Sequence, residues 1–79
     1  MAKTLKHHAQ IFNDFKSSNI KEFKHLSRNN NLEVEFHHGG TYLYKNVPKE
    51  ILAKVLAADS VTKEFNELIK NKFPTSKLS

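Results

Sequence analysis

The chain has 79 residues, no cysteine and a formal net charge of +5. That length predicts a single small domain, which buries only about 60% of the surface its unfolded chain would expose. The lack of cysteine excludes disulfides, thiolate metal ligands and a thiol nucleophile, and it fits a reducing compartment. No apolar run approaches the roughly 20 residues that span a bilayer, and the basic opening Met1–His8 is followed by no long apolar core. The expected location is cytoplasmic, with no membrane partner. Arg28 is the sole arginine and the other basic residues are lysines. Lysines act as point charges, whereas bidentate base reading prefers arginine. An anionic partner is therefore expected, but not sequence-specific duplex recognition.

In chain order, Leu5, His8, Ala9, Phe12 and Phe15 recur at helical spacing and predict an amphipathic N-terminal helix within residues 1–16. Ser17-Ser18-Asn19 breaks it. Ile20–Leu26 predicts a strand, but Ile20, Phe23 and Leu26 do not alternate, which calls for a bulge or a two-sided strand. Ser27–Asn31 reads as a turn, because asparagine tolerates the left-handed conformation. Leu32-Glu33-Val34-Glu35-Phe36 alternates strictly and predicts a strand with the apolar residues inward. His37-His38-Gly39-Gly40 reads as a hairpin connection with positive φ at its glycines. Thr41–Tyr44 is the returning strand, with Tyr42 and Tyr44 on one face and Leu43 on the other.

Pro48 opens a helix carrying Ile51, Leu52, Val55 and Leu56. Asp59 or Ser60 caps a second, carrying Val61, Phe65, Leu68 and Ile69, which Phe73-Pro74 ends. Residues 75–79 are expected to fray. The predicted fold is α+β: a three-stranded antiparallel meander with two C-terminal helices on one face, plus the N-terminal helix.

Several pieces in order resemble the KTSC domain, a family named for the C-terminus of some lysyl-tRNA synthetases and also found as small free-standing bacterial and phage proteins. They are Ser17-Ser18-Asn19-Ile20, Leu32–Phe36, Gly39-Gly40, Tyr42-Leu43-Tyr44, Val47-Pro48, Ala58-Asp59-Ser60, Phe65-Asn66 and Ile69–Pro74. The resemblance implies a family domain over residues 17–78 behind an N-terminal extension of residues 1–16. The chain departs from the family pattern at Leu43, often arginine, at Lys24-His25, usually glycine-tyrosine, and at Thr62, usually glycine. The synthetase context of the resemblance implies RNA binding.

Five histidines raise the question of a metal, but adjacent His37 and His38 point to opposite faces of a regular strand, and no helical His pair or cysteine joins them. No metal or cofactor is expected. No nucleophile motif or phosphate loop is present, so enzymatic activity is not expected. The tyrosines offer rings on which bases stack, with lysines for phosphates. Expected ligand-binding residues are Tyr42, Tyr44, Lys45, Lys21, Lys24, His25, Arg28, Lys70 and Lys72. The expected function is non-catalytic binding of RNA or a small anionic nucleotide. A second reading is a phage or prophage homo-oligomer that sequesters a nucleotide immune signal in a basic pocket between subunits. A third is a protein-interaction adaptor acting through the N-terminal helix.

Overall fold

The computed structural model describes residues 9–79. Its elements are β1 (Ala9–Phe12), β2 (Ile20–Leu26), β3 (Asn31–Phe36), β4 (Gly40–Tyr44), α1 (Lys49–Ala57), α2 (Val61–Leu68) and β5 (Thr75–Lys77). The strands form one five-stranded antiparallel sheet in sequence order. The central meander β2–β4 matches the expectation, but two further strands flank it.

At the N-terminal end, Ala9–Phe12 is strand and not helix, and pairs with Phe23–Leu26 of β2; residues 1–8 of the predicted helix lie outside the described residues. The helical spacing of the apolar residues lost to the open edge of β2, whose backbone groups require partners. In the pairing Phe12 falls opposite Phe23 and packs on the core, while Ile11 turns to the other face and is exposed. At the C-terminal end, the tail is not frayed. Thr75–Lys77 pairs with Tyr42–Tyr44. Further bonds run from Lys45 N–H to the Pro74 carbonyl (2.9 Å) and from Leu78 N–H to the Thr41 carbonyl (2.8 Å).

The irregular apolar spacing of β2 is a bulge: the register shifts between Ile20 and Glu22. It brings Ile20 onto the same face as Phe23 and His25, and all three are buried. From β3 and β4 that face receives Leu32, Val34 and Phe36 with Tyr42 and Tyr44, as the alternation predicts. Asn30 takes a positive φ in the β2–β3 turn. In the next hairpin His37-His38-Gly39 connects Phe36 to Gly40, and only Gly40 has a positive φ.

Both helices lie against this face, with Leu52 and Val55 of α1 and Val61 and Phe65 of α2 in the core. The Pro48 carbonyl accepts from Ile51 N–H (3.0 Å) at the start of α1. Ser60, not Asp59, caps α2, its hydroxyl accepting from Lys63 N–H. Helix α2 ends at Leu68, before the predicted stop at Phe73-Pro74, and Asn71 in the left-handed region turns the chain back toward the sheet.

His25 is 0% exposed. Its Nε2 lies 2.9 Å from the Val47 carbonyl, so this nitrogen carries the proton, and Nδ1 is buried without a partner. Val47 N–H in turn donates to the Asn30 carbonyl (2.7 Å), so the segment leading into α1 is fastened to the β2–β3 hairpin.

His25→Ala opens a cavity and orphans the Val47 carbonyl; a loss of about 2–4 kcal/mol in unfolding free energy is expected in urea titrations. At Gly40 a Cβ would run into the Ser79 carbonyl on a backbone with φ +85°. Gly40→Ala is expected to cost about 1–3 kcal/mol in the same assay and to speed amide exchange in β5 before the rest of the sheet.

Candidate functional site

The strand alternation that builds the core also builds the site. Tyr42 and Tyr44 lie in register with Val34 and Leu32, on the face that the helices cover. Phe36 meets Tyr42 edge-on (centroids 5.7 Å, 81°), and Phe65 of α2 meets Tyr44 edge-on (5.4 Å, 90°). Helix α2 does not cover Tyr42 fully, and a cleft of ≈ 520 Å³ opens between the helix and the β3–β4 end of the sheet. Its aromatic side is Phe36, Tyr42, Tyr44 and Phe65.

The opposite wall is polar. Thr62 and Asn66 are one helical turn apart on α2, and Lys70 continues their line past its last turn; all three border the cleft. Asn19 and His38 stand at the end nearer Thr62, and Asn71 and Thr75 follow Lys70. Ser17 fixes the first of these ends. Its hydroxyl lies 2.6 Å from that of Thr62 and accepts from Ile20 N–H at 2.9 Å. The Lys77 ammonium sits 6.0 Å from the Tyr42 ring centroid and adds a second cation beside the aromatic side. Lys70 has no ion-pair partner among the described residues.

The nine residues expected to bind ligand do not converge. Tyr42, Tyr44 and Lys70 line the cleft. His25 is not a surface cation, since its ring is held in the core. Lys21 and Lys24 belong to the uncovered face of the sheet. There Lys21 pairs with Glu35 (3.6 Å) and Lys24 stands opposite Glu33. Arg28 is exposed in the β2–β3 turn; Lys45 and Lys72 are exposed outside the cleft. The polar residues that sequence reasoning missed are Asn19, His38, Thr62, Asn66, Asn71 and Thr75. A signal for two of them existed: Asn19 and Asn66 each sit within a motif segment that also supplies core, and nothing in the core needs an asparagine there; Asn71 is accounted for by its left-handed backbone.

Among the described residues no three histidine or acidic side chains converge on a metal position. The His37 and His38 rings are 6.4 Å apart between centroids. No helix among the described residues is long and apolar enough to cross a membrane.

A family model described as the KTSC domain matches residues 16–73, most of the chain. The chain belongs to the KTSC domain family. Its structure is similar to the crystal structure of a KTSC domain protein from Yersinia pestis, with a TM-score of 0.82 and 31% sequence identity over 90% of this chain and 99% of that one. It is also 37% identical to an uncharacterized protein of Stutzerimonas stutzeri (strain A1501) over 54 residues, covering 68% of this chain and 76% of that protein. Strands β1 and β5 lie outside the segment that the KTSC model matches.

Burial, and then the neighbouring Tyr42, push the Tyr44 phenol above its ordinary ionisation range. A phenol whose folded-state value is raised gives stability that is full below the unfolded value near 10 and is lost as pH rises toward the folded value. Unfolding free energy is therefore expected to fall above about pH 10, and less so in Tyr44→Phe. In an ultraviolet titration of the native protein, Tyr44 should ionise above the ordinary tyrosine range.

Proposed function

We propose that this KTSC protein is a non-catalytic binding module for a phosphate-bearing nucleotide, with an unpaired nucleotide of RNA as its first ligand. The observation that carries the reading is the cleft itself. Aromatic rings line one side, amide and hydroxyl side chains face them, and Lys70 lies at one end. The size falls within the range of pockets that enclose a small organic ligand, about 300–1,000 Å³. Bases stack on aromatic side chains whatever their identity. Asparagine amides supply both donors and acceptors to a base edge. Lys70 and Lys77 bring positive charge to a phosphate, in keeping with the net charge of +5.

Among the described residues, no paired carboxylates or activated nucleophile stand in the wall of the cleft. His38 is the one imidazole in that wall among the described residues.

The test is fluorescence anisotropy with a labelled single-stranded RNA decamer at a series of salt concentrations. Tyr42→Ala is expected to weaken binding by about 1–3 kcal/mol, the value of one stacked base. Lys70→Ala is expected to weaken it and to flatten the plot of log affinity against log salt by about 0.7, the share of one phosphate on a single strand. Affinity that ignores salt, or that both substitutions leave unchanged, would sink the reading. Native mass spectrometry with a nucleotide extract separates the alternative: an oligomer that retains a small mass would favour sequestration between subunits over RNA.

A further inference from the structure

The two ends of the cleft differ chemically, and hydrogen-bond counting at Ser17 shows how. A hydroxyl carries one proton and two lone pairs. The Ser17 hydroxyl accepts from two backbone amides, Ile20 N–H at 2.9 Å and Asn19 N–H at 3.2 Å. Both lone pairs are then engaged. Its contact with the Thr62 hydroxyl at 2.6 Å leaves it one role, that of donor. Thr62 is the acceptor, and its own proton has no protein acceptor among the described residues. Thr62 is half-buried and borders the cleft. The order of donation therefore runs from the backbone amides to Ser17 and from Ser17 to Thr62, which leaves the Thr62 proton without an acceptor among the described residues. Each bond polarises the next, so the last proton is a stronger donor than an isolated hydroxyl.

We infer that Thr62 is a ligand-binding donor of this site, offering its free proton to a hydrogen-bond acceptor oxygen on the ligand at the end of the cleft away from Lys70. The inference rests on the nucleotide reading of the cleft and adds a direction to it. Thr62 is in the first turn of α2 and Lys70 lies just beyond its last, so the two stand at opposite ends of the helix. The ligand thus meets a fixed neutral donor at one end and a mobile cation at the other, with its ring between them against Tyr42. Thr62 keeps one free lone pair besides its proton, and an acceptor oxygen on the ligand is what satisfies the proton. The acceptor oxygen has two possible sources on a nucleotide, a ring carbonyl and a phosphate oxygen.

Calorimetric titration of the whole protein with uridine 5′-monophosphate, uridine and inorganic phosphate tests this and separates the sources. Thr62→Val keeps the shape and removes the donor, and is expected to weaken binding of the monophosphate by about tenfold. Thr62→Ser keeps the hydroxyl and should recover most of that loss. A packing role alone would not give this rescue, since serine lacks the methyl group that valine keeps. If Thr62→Val weakens uridine as much as the monophosphate, the acceptor is the ring carbonyl. If it weakens the monophosphate and inorganic phosphate but spares uridine, the acceptor is a phosphate oxygen.

Monophosphate affinity that Thr62→Val leaves intact while Lys70→Ala lowers it would overturn the role of Thr62 and leave the nucleotide reading standing. A wild-type protein that binds none of the three at millimolar concentration would remove both.

Discussion

The position of Phe65 decides most of what this molecule presents. Its ring, 1% exposed, lies within 6.0 Å, between centroids, of Phe23 and of Phe36, and 5.4 Å from Tyr44. It thereby joins one helix to three neighbouring strands. Aromatic side chains bury the largest apolar areas available to a small core, and here they gather at one contact. Because Phe65 fixes α2 on the sheet, it also fixes where the helix line of Thr62, Asn66 and Lys70 runs. The cleft is the space left between that line and the part of the aromatic row that α2 does not cover.

The two faces of the sheet divide the charge. On the uncovered face, Lys24 stands opposite Glu33, and Lys21 pairs with Glu35. Glu22 and Glu35 are also opposite each other, a like-charge arrangement that Lys21 offsets. These lysines are already answered by carboxylates and contribute little net field there. Lys70 in the cleft wall and Lys77 beside the Tyr42 ring have no ion-pair carboxylate among the described residues. Counting lysines in the sequence gives the size of the positive charge but not this division, which follows from the register of β2 against β3.

Edges explain the elements that sequence reading misplaced. Ala9–Phe12 has the spacing of a helix, and residues 75–79 have the composition of a loose tail. Ala9–Phe12 and Thr75–Lys77 nonetheless form strands, because β2 and β4 would otherwise leave a row of backbone donors and acceptors unpaired. That requirement is set by the assembled sheet and leaves no mark on the segments that meet it. Gly40 carries part of the mark, since the close approach of the Ser79 carbonyl needs a residue without a side chain. His25 is a related case: a polar residue that looked available to a ligand is instead a core group tying β2 to the segment before α1.

By itself, the sequence determined the central meander, its inward and outward faces, the irregularity of β2, the two C-terminal helices and the placing of both tyrosines on one face. Each of these depends on local periodicity or on residues a few positions apart. That the irregularity is a bulge came from the register of β2 against β3. The tertiary structure decided the outer strands, the end of α2 and the burial of His25. It also decided which polar residues share a cleft with Tyr42, Tyr44 and Lys70. Asn19, Thr62 and Asn71 come from three separate segments, and only the packing of Phe65 into the sheet brings them within reach of one ligand.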